Sequence, residues 1–232
     1  MNPLHSWDVS VELAIQIQEA LKDRIILKKT FSKVETIGGG DVAYSRDGNL
    51  LFGAIAILSF PNLEILDMAT ADGKIPFPYI PTLLSFREGP ILIKTFQRLK
   101  IKPDVMIFDG QGVAHPRRMG LASHMGLWFG LPSIGCAKTP LLDKSISPEL
   151  SKGSFEWIWN EGEKVGAVLR TKEKVKPLFI SPGRLGRRSP LRKRRRGSPP
   201  EQHAGVFGDD HRRAARLAAA IAVGVLQYPH EF

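Results

Sequence analysis

The sequence predicts an α/β protein: one mixed β-sheet, an antiparallel meander continued by parallel strands, flanked by helices. Two observations carry that expectation. Residues 34–73 hold three apolar runs separated by "SRDGN" and "FPN", which are turn signals, so consecutive strands should pair as hairpins. Beyond residue 80, helix-like and strand-like stretches alternate, the pattern of βαβ crossovers that places strands in parallel.

The elements follow in order. Residues 7–29 read as a helix, with Ser6 able to cap it and Val11, Ala14, Leu21 and Ile25 recurring near helical spacing. Gly48 in "RDG" tolerates the positive φ of a hairpin turn. The second strand, "LLFGAIAIL", is apolar on both faces and so should be central. "PFPYIP" must be extended, because the residue before each proline is pushed out of the helical region. A helix is expected from about Thr82 to Lys100, then a strand over "PDVMIFD". "PRRMGLASHMGLWFG" reads as a helix opened by Pro116 and closed by Gly130. "LPSIGCAK" is a short strand, residues 154–171 a hairpin turned at "NEGE", and "KPLFISPG" a last strand. This is the element order of ribonuclease H-like nucleases, but fold alone leaves function open.

Composition narrows the class. The chain has 232 residues, enough for one substantial core. Its single cysteine, Cys136, excludes an internal disulfide and fits a reducing compartment. The charged N-terminus lacks the pattern of a signal peptide, and no apolar run approaches the roughly 18 residues of a membrane span. A cytoplasmic protein, acting as a monomer away from any membrane, is the expectation. The net charge of +10 invites a nucleic-acid reading, yet residues 184–196 hold eight Lys or Arg and no acid, so the remainder is nearly neutral. The basic run reads first as a solvated arm and second as a polyanion contact.

Asp41, inside the first strand, and Asp109, at the end of the fourth, would meet if those strands are neighbours. Glu88, in the first two turns of the intervening helix, could reach the same point. Three converging carboxylates repel one another unless a cation sits among them. Magnesium, a hard ion that takes oxygen ligands, is the natural candidate. It can activate a bound water and neutralise charge on a phosphodiester. Taken singly, Asp41 and Asp109 read better as strand-end residues bound to turn amides; taken as a pair with Glu88 in this element order, they read as a metal site. Lys138 would emerge on the same sheet edge and could ground a phosphate. His115 could touch phosphate or relay a proton. Arg117 and Arg118, at an expected helix start, would oppose the helix dipole, which suggests an anion nearby; a solvent-facing turn is the alternative. Gly110 and Gly112 offer close backbone approach. Tyr79, stiffened between Pro78 and Pro81, could wedge into a base stack or simply lid the core.

Together these stretches resemble the endonuclease V family: "GGGDVAYS", "PYIPTLLSFREGP", "PDVMIFDGQGVAHPRRMGLASHMGL", "LPSIGCAKTPL", "VGAVLRT" and "KPLFISPG". The match runs from about residue 34 to about residue 183. The resemblance implies a ribonuclease H-like fold and a need for Mg2+, with Mn2+ as a substitute. It implies recognition of deaminated bases, chiefly hypoxanthine in inosine. The cut would fall at the second phosphodiester 3′ to the lesion, leaving 3′-hydroxyl and 5′-phosphate ends. Asp41 and Asp109 would bind metal, Glu88 would complete the acidic site, and Lys138 and His115 would assist at the phosphate. Tyr79 would hold strands apart, and the loop from Gly110 to Gly112 would line the base pocket. Some members of the family prefer RNA.

Two departures stand out. Thr82 occupies a position where the family usually has glycine or another small residue. Arg184 replaces the histidine of "SPGH", and the later family histidine has only His203 and His211 as candidates. The chain therefore divides into a catalytic domain, 1–183, and a basic atypical tail, 184–232. A non-catalytic nucleic-acid-binding protein is the reading from another class.

Overall fold

The computed structural model describes residues 3–28, 33–142 and 145–186. His203, His211 and the basic run beyond residue 186 lie outside them. The described elements are α1 (Val11–Lys22), β1 (Thr36–Tyr44), β2 (Leu50–Ser59), β3 (Ile65–Lys74), α2 (Leu84–Gln97), β4 (Val105–Phe108), α3 (Leu121–Phe129), β5 (Ser133–Ala137), β6 (Phe155–Asn160), β7 (Glu163–Leu169) and β8 (Leu178–Arg184). The eight strands form one mixed sheet in the order β3-β2-β1-β4-β5-β8-β7-β6.

The expected class is the one observed. β1, β2 and β3 pair antiparallel through the two turns named above, and Gly48 has φ 72° in the first. The chain then crosses through α2 to set β4 parallel to β1, and through α3 to set β5 parallel to β4. β8 returns antiparallel to β5, and β7 and β6 extend that side.

α2 and α3 cover one sheet face, over a core that includes Ile55, Ile57, Met106, Phe108, Leu92 and Met125. The opposite face is as apolar: Ile37, Leu58, Val105, Ile107, Ile134, Cys136, Leu178 and Ile180 are all buried. Residues alternate between the two faces along β4, which is why that short strand is apolar throughout. No described helix is long and apolar enough to cross a membrane.

α2 runs from Leu84 to Gln97, inside the expected Thr82–Lys100 at both ends, and three further boundaries differ from expectation. α1 begins at Val11 rather than residue 7, because Ser10 caps it by accepting from the Leu13 amide, whereas Ser6 accepts from the Asp8 amide outside the helix. α1 also stops at Lys22. The chain beyond it continues to Ile26, whose carbonyl accepts the Leu185 and Gly186 amides at the end of β8. α3 begins at Leu121 rather than at Pro116. Arg118 has φ 57°, outside the helical region, and the Gly120 amide folds back to the Gly112 carbonyl. Its other end is as expected, since Gly130 has φ 67°, a left-handed stop that glycine adopts without penalty.

Candidate functional site

The edge that matters lies at the carboxyl ends of β1, β4 and β5. Gly40 on β1 registers with Phe108 on β4, so Asp41 and Asp109 each stand one residue beyond the last parallel pair. The Asp109 amide donates to the Gly40 carbonyl, 3.4 Å away. Phe108 in turn registers with Gly135, and Lys138 follows the end of β5 on the same edge. Its ammonium reaches Asp109 Oδ2 at 2.5 Å. That bond is the chief reason the Lys138 pKa is raised.

Glu88 comes to this edge from α2. It is only 7% exposed, and its Oε1 accepts from the Tyr44 hydroxyl at 2.7 Å. Burial pushes its carboxyl up to about 7; the Tyr44 bond opposes this, and the negative charges of Asp41 and Asp109 add to it. The three carboxyls thus lie within electrostatic reach of one another. The same burial, with the Glu88 charge, raises the Tyr44 phenol well above its usual range.

These donors suit a divalent cation in chemistry: hard oxygens, one of them buried and destabilised by like charge. As the side chains are held, no group of three or more His, Cys, Asp or Glu among the described residues stands in a metal-ligating cluster. Tyr44 donates to Glu88 Oε1 and Lys138 to Asp109 Oδ2, so each of these carboxyls has one oxygen engaged and keeps a second.

The other expected residues take different positions. His115 is buried. Its Nδ1 accepts the Arg117 amide at 3.1 Å, which leaves the proton on Nε2 to donate to the Thr82 carbonyl at 2.9 Å. Burial pulls its pKa down to about 4, so the ring is neutral near pH 7. Arg117 and Arg118 do not open a helix, and the dipole argument for an anion at that point falls away. Arg117 binds Gln18 and Thr82, and Arg118 pairs with Glu163 Oε2 at 2.8 Å.

The glycine loop is packed against its own fold. The Gly112 amide donates to Ser181 Oγ at 2.8 Å, and a Cβ at this glycine would fall 2.2 Å from the Pro182 carbonyl oxygen. The close approach served by Gly112 is therefore to β8. At Gly110 a Cβ would meet Leu121 at 3.2 Å.

Tyr79 is 67% exposed, in the segment between β3 and α2. Sequence reading missed how that segment is tied. The Phe77 carbonyl accepts from Arg87 Nη1 at 2.7 Å, and Thr82 is gripped by Gln18, His115 and Arg117. Gln18 is wholly buried on α1 and donates to the Thr82 and Met119 carbonyls. In the sequence it is one polar residue among several on an amphipathic helix, and nothing local marks it.

The fold and this edge can be set beside known proteins. The family model for Endonuclease V matches residues 19–188. The chain belongs to the Endonuclease V family. An Endonuclease V of Dictyoglomus turgidum is 49% identical over 172 residues, 74% of this chain and 75% of the relative. Among solved structures, the Endonuclease V of Bacillus subtilis superposes with a TM-score of 0.73 at 36% identity, covering 78% of this chain and 80% of that one. That of Ciona intestinalis, in complex with a 24mer DNA containing an inosine followed by a ribo-adenosine, gives 0.66 at 29%, covering 75% and 83%.

Thr82 and Arg184, the two residues expected above to depart from the resemblance, acquire physical form. Thr82 has φ 75°, a conformation glycine adopts freely. A β-branched residue there carries strain on the order of 1–3 kcal/mol, which its hydrogen bonds must offset. Arg184 pairs with Ser133, at the start of β5, while Lys138 follows its end. The two are separated by roughly 16 Å of strand at about 3.3 Å per residue. Arg184 is 2% exposed, its amide donates to Ser133 Oγ, and its Nη1 reaches the Gly126 carbonyl at 3.5 Å. It is a packing residue at the far end of the sheet.

Proposed function

We propose that the protein is a metal-dependent endonuclease that recognises deaminated bases in DNA, chiefly deoxyinosine, and hydrolyses the second phosphodiester bond 3′ to the lesion. On this reading it takes part in DNA repair as a cytoplasmic monomer and leaves 5′-phosphate ends. The observation that carries it is the electrostatic convergence of Asp41, Glu88 and Asp109 at one sheet edge, with Lys138 beside them. Membership of the Endonuclease V family and the inosine-containing DNA held by the Ciona relative support the substrate class.

Asp41, Asp109 and Glu88 would hold Mg2+, or Mn2+ in its place. The ion would lower the pKa of a bound water and offset charge on the phosphodiester. Lys138, beside Asp109, would offer its ammonium to the scissile phosphate. Tyr44 keeps Glu88 oriented through its hydroxyl. Tyr79 would stand between strands while the base leaves the helix.

The test is nicking of an inosine-containing duplex with Mg2+, on DNA and RNA side by side, for the wild type and Asp109→Ala. Mg2+-dependent cleavage of the DNA, lost in the variant, is the expected result. Binding without cleavage would favour a nucleic-acid-binding protein instead. Selective cleavage of the RNA would make it an inosine-specific ribonuclease.

A further inference from the structure

We infer that Gln18, His115 and Arg117 are positioning residues that clamp Thr82 and so hold Tyr79 as a rigid projection for engaging nucleic-acid duplex. The inference rests on the reading of Tyr79 as a wedge and deepens it.

The segment from Phe77 to Thr82 is short and carries Pro78 and Pro81, whose rings fix φ at two of its residues. It is held at both ends. At one end Arg87 Nη1 donates to the Phe77 carbonyl. At the other, the Thr82 carbonyl accepts from Gln18 Nε2 at 2.9 Å, from His115 Nε2 at 2.9 Å and from Arg117 Nη2 at 3.4 Å. Arg117 Nη2 also donates to the Thr82 hydroxyl.

The clamp is closed on itself. Arg117 Nε donates to Gln18 Oε1 at 2.7 Å, and the Arg117 amide donates to His115 Nδ1. Gln18 Nε2 has a further acceptor in the Met119 carbonyl at 3.0 Å. Three parts of the chain, α1, the loop before α3 and the loop before α2, thus meet at one strained residue. A residue at φ 75° with a branched Cβ persists only where its surroundings determine it, and such strain gathers where geometry must be held.

A separating side chain needs this support. Pushing apart stacked bases meets a restoring force, and a mobile loop would yield before the stack did. Tyr79, at 67% exposure, has little packing of its own, so its stiffness must come from the ends of its segment. His115 suits the task because burial keeps it neutral, and a neutral ring can accept at Nδ1 while donating at Nε2.

The experiment uses the full chain with two variants. Gln18→Leu removes the hub of the clamp. Thr82→Gly relieves the backbone strain and deletes the hydroxyl contact, so it folds even if Gln18→Leu does not. Amide hydrogen exchange across residues 77–83 is followed in each. Nicking is measured on an inosine duplex and on the same inosine strand alone. Gln18→Leu removes three hydrogen bonds of the clamp and should raise exchange of the segment roughly tenfold, whereas Thr82→Gly removes one and should raise it by a smaller factor. Duplex nicking should fall by a similar factor, while single-strand nicking stays within about twofold.

Unchanged exchange in both variants overturns the clamp, whatever the nicking shows. Raised exchange with equal losses on both substrates overturns the positioning role and leaves a general structural one. Raised exchange in a protein whose wild type neither binds nor cuts the inosine duplex overturns the wedge reading itself, an outcome the exchange data keep distinct.

Discussion

Glu88 concentrates the chemistry of the edge in one side chain. Its carboxyl is held near a pKa of about 7, against a reference of 4.5, so the folded metal-free protein binds its proton more tightly than the unfolded chain does. The stabilising contribution is therefore complete below about pH 4.5 and is lost as pH rises through about 7. Well above that, a charged Glu88 should cost the metal-free protein on the order of 3 kcal/mol. Glu88→Gln keeps an acceptor for Tyr44 and removes the charge. In chelator near pH 8 it should be more stable than wild type by about that amount, measured by urea unfolding. Near pH 5 the gap should shrink. Adding Mg2+ at the higher pH should stabilise wild type and leave Glu88→Gln unmoved. A wild-type protein indifferent to both pH and Mg2+ would remove Glu88 from the site.

At the scale of elements, the glycine loop shows how tertiary contacts override local signals. "GQG" read as a place for backbone to approach a ligand, and Pro116 as the start of a helix. Both readings used local chemistry correctly. The loop instead folds onto β5 and β8, with Gly112 pressed to the Pro182 carbonyl. Gly112→Ala should therefore destabilise the fold by several kcal/mol, since backbone on both sides resists displacement; ordinary overpacking costs about 1–3 kcal/mol. A loss of activity with an unchanged midpoint of unfolding would instead place this glycine against a ligand. The adjacency of β1 and β4 was legible, because hairpin signals and an apolar run ending in an acid survive any packing arrangement. The meeting of Asp41 with Asp109 followed from it. The grip on Thr82 was not legible: Gln18 and Thr82 are 64 residues apart, and the positive φ belongs to the folded state alone.

The whole molecule divides its labour between the two faces and one edge of a single sheet. α2 carries Glu88 to the edge while packing its apolar side on β1, β2 and β3, so the candidate site and the core share one helix. The other face holds Cys136, the sole thiol, on β5 between β4 and β8. Burial pushes that thiol up to about 12, with the Asp109 charge contributing. At neutral pH it is protonated and shielded, so an alkylating reagent can reach it only when the middle strands part. The chain thus contains its own single-site gauge of sheet opening. Labelling of the native protein should be slow and should match the rate of global unfolding. If Asp41 and Asp109 hold Mg2+ as proposed, added Mg2+ should slow it further by tying β1 to β4, and the retardation would record how firmly the ion joins the two strands.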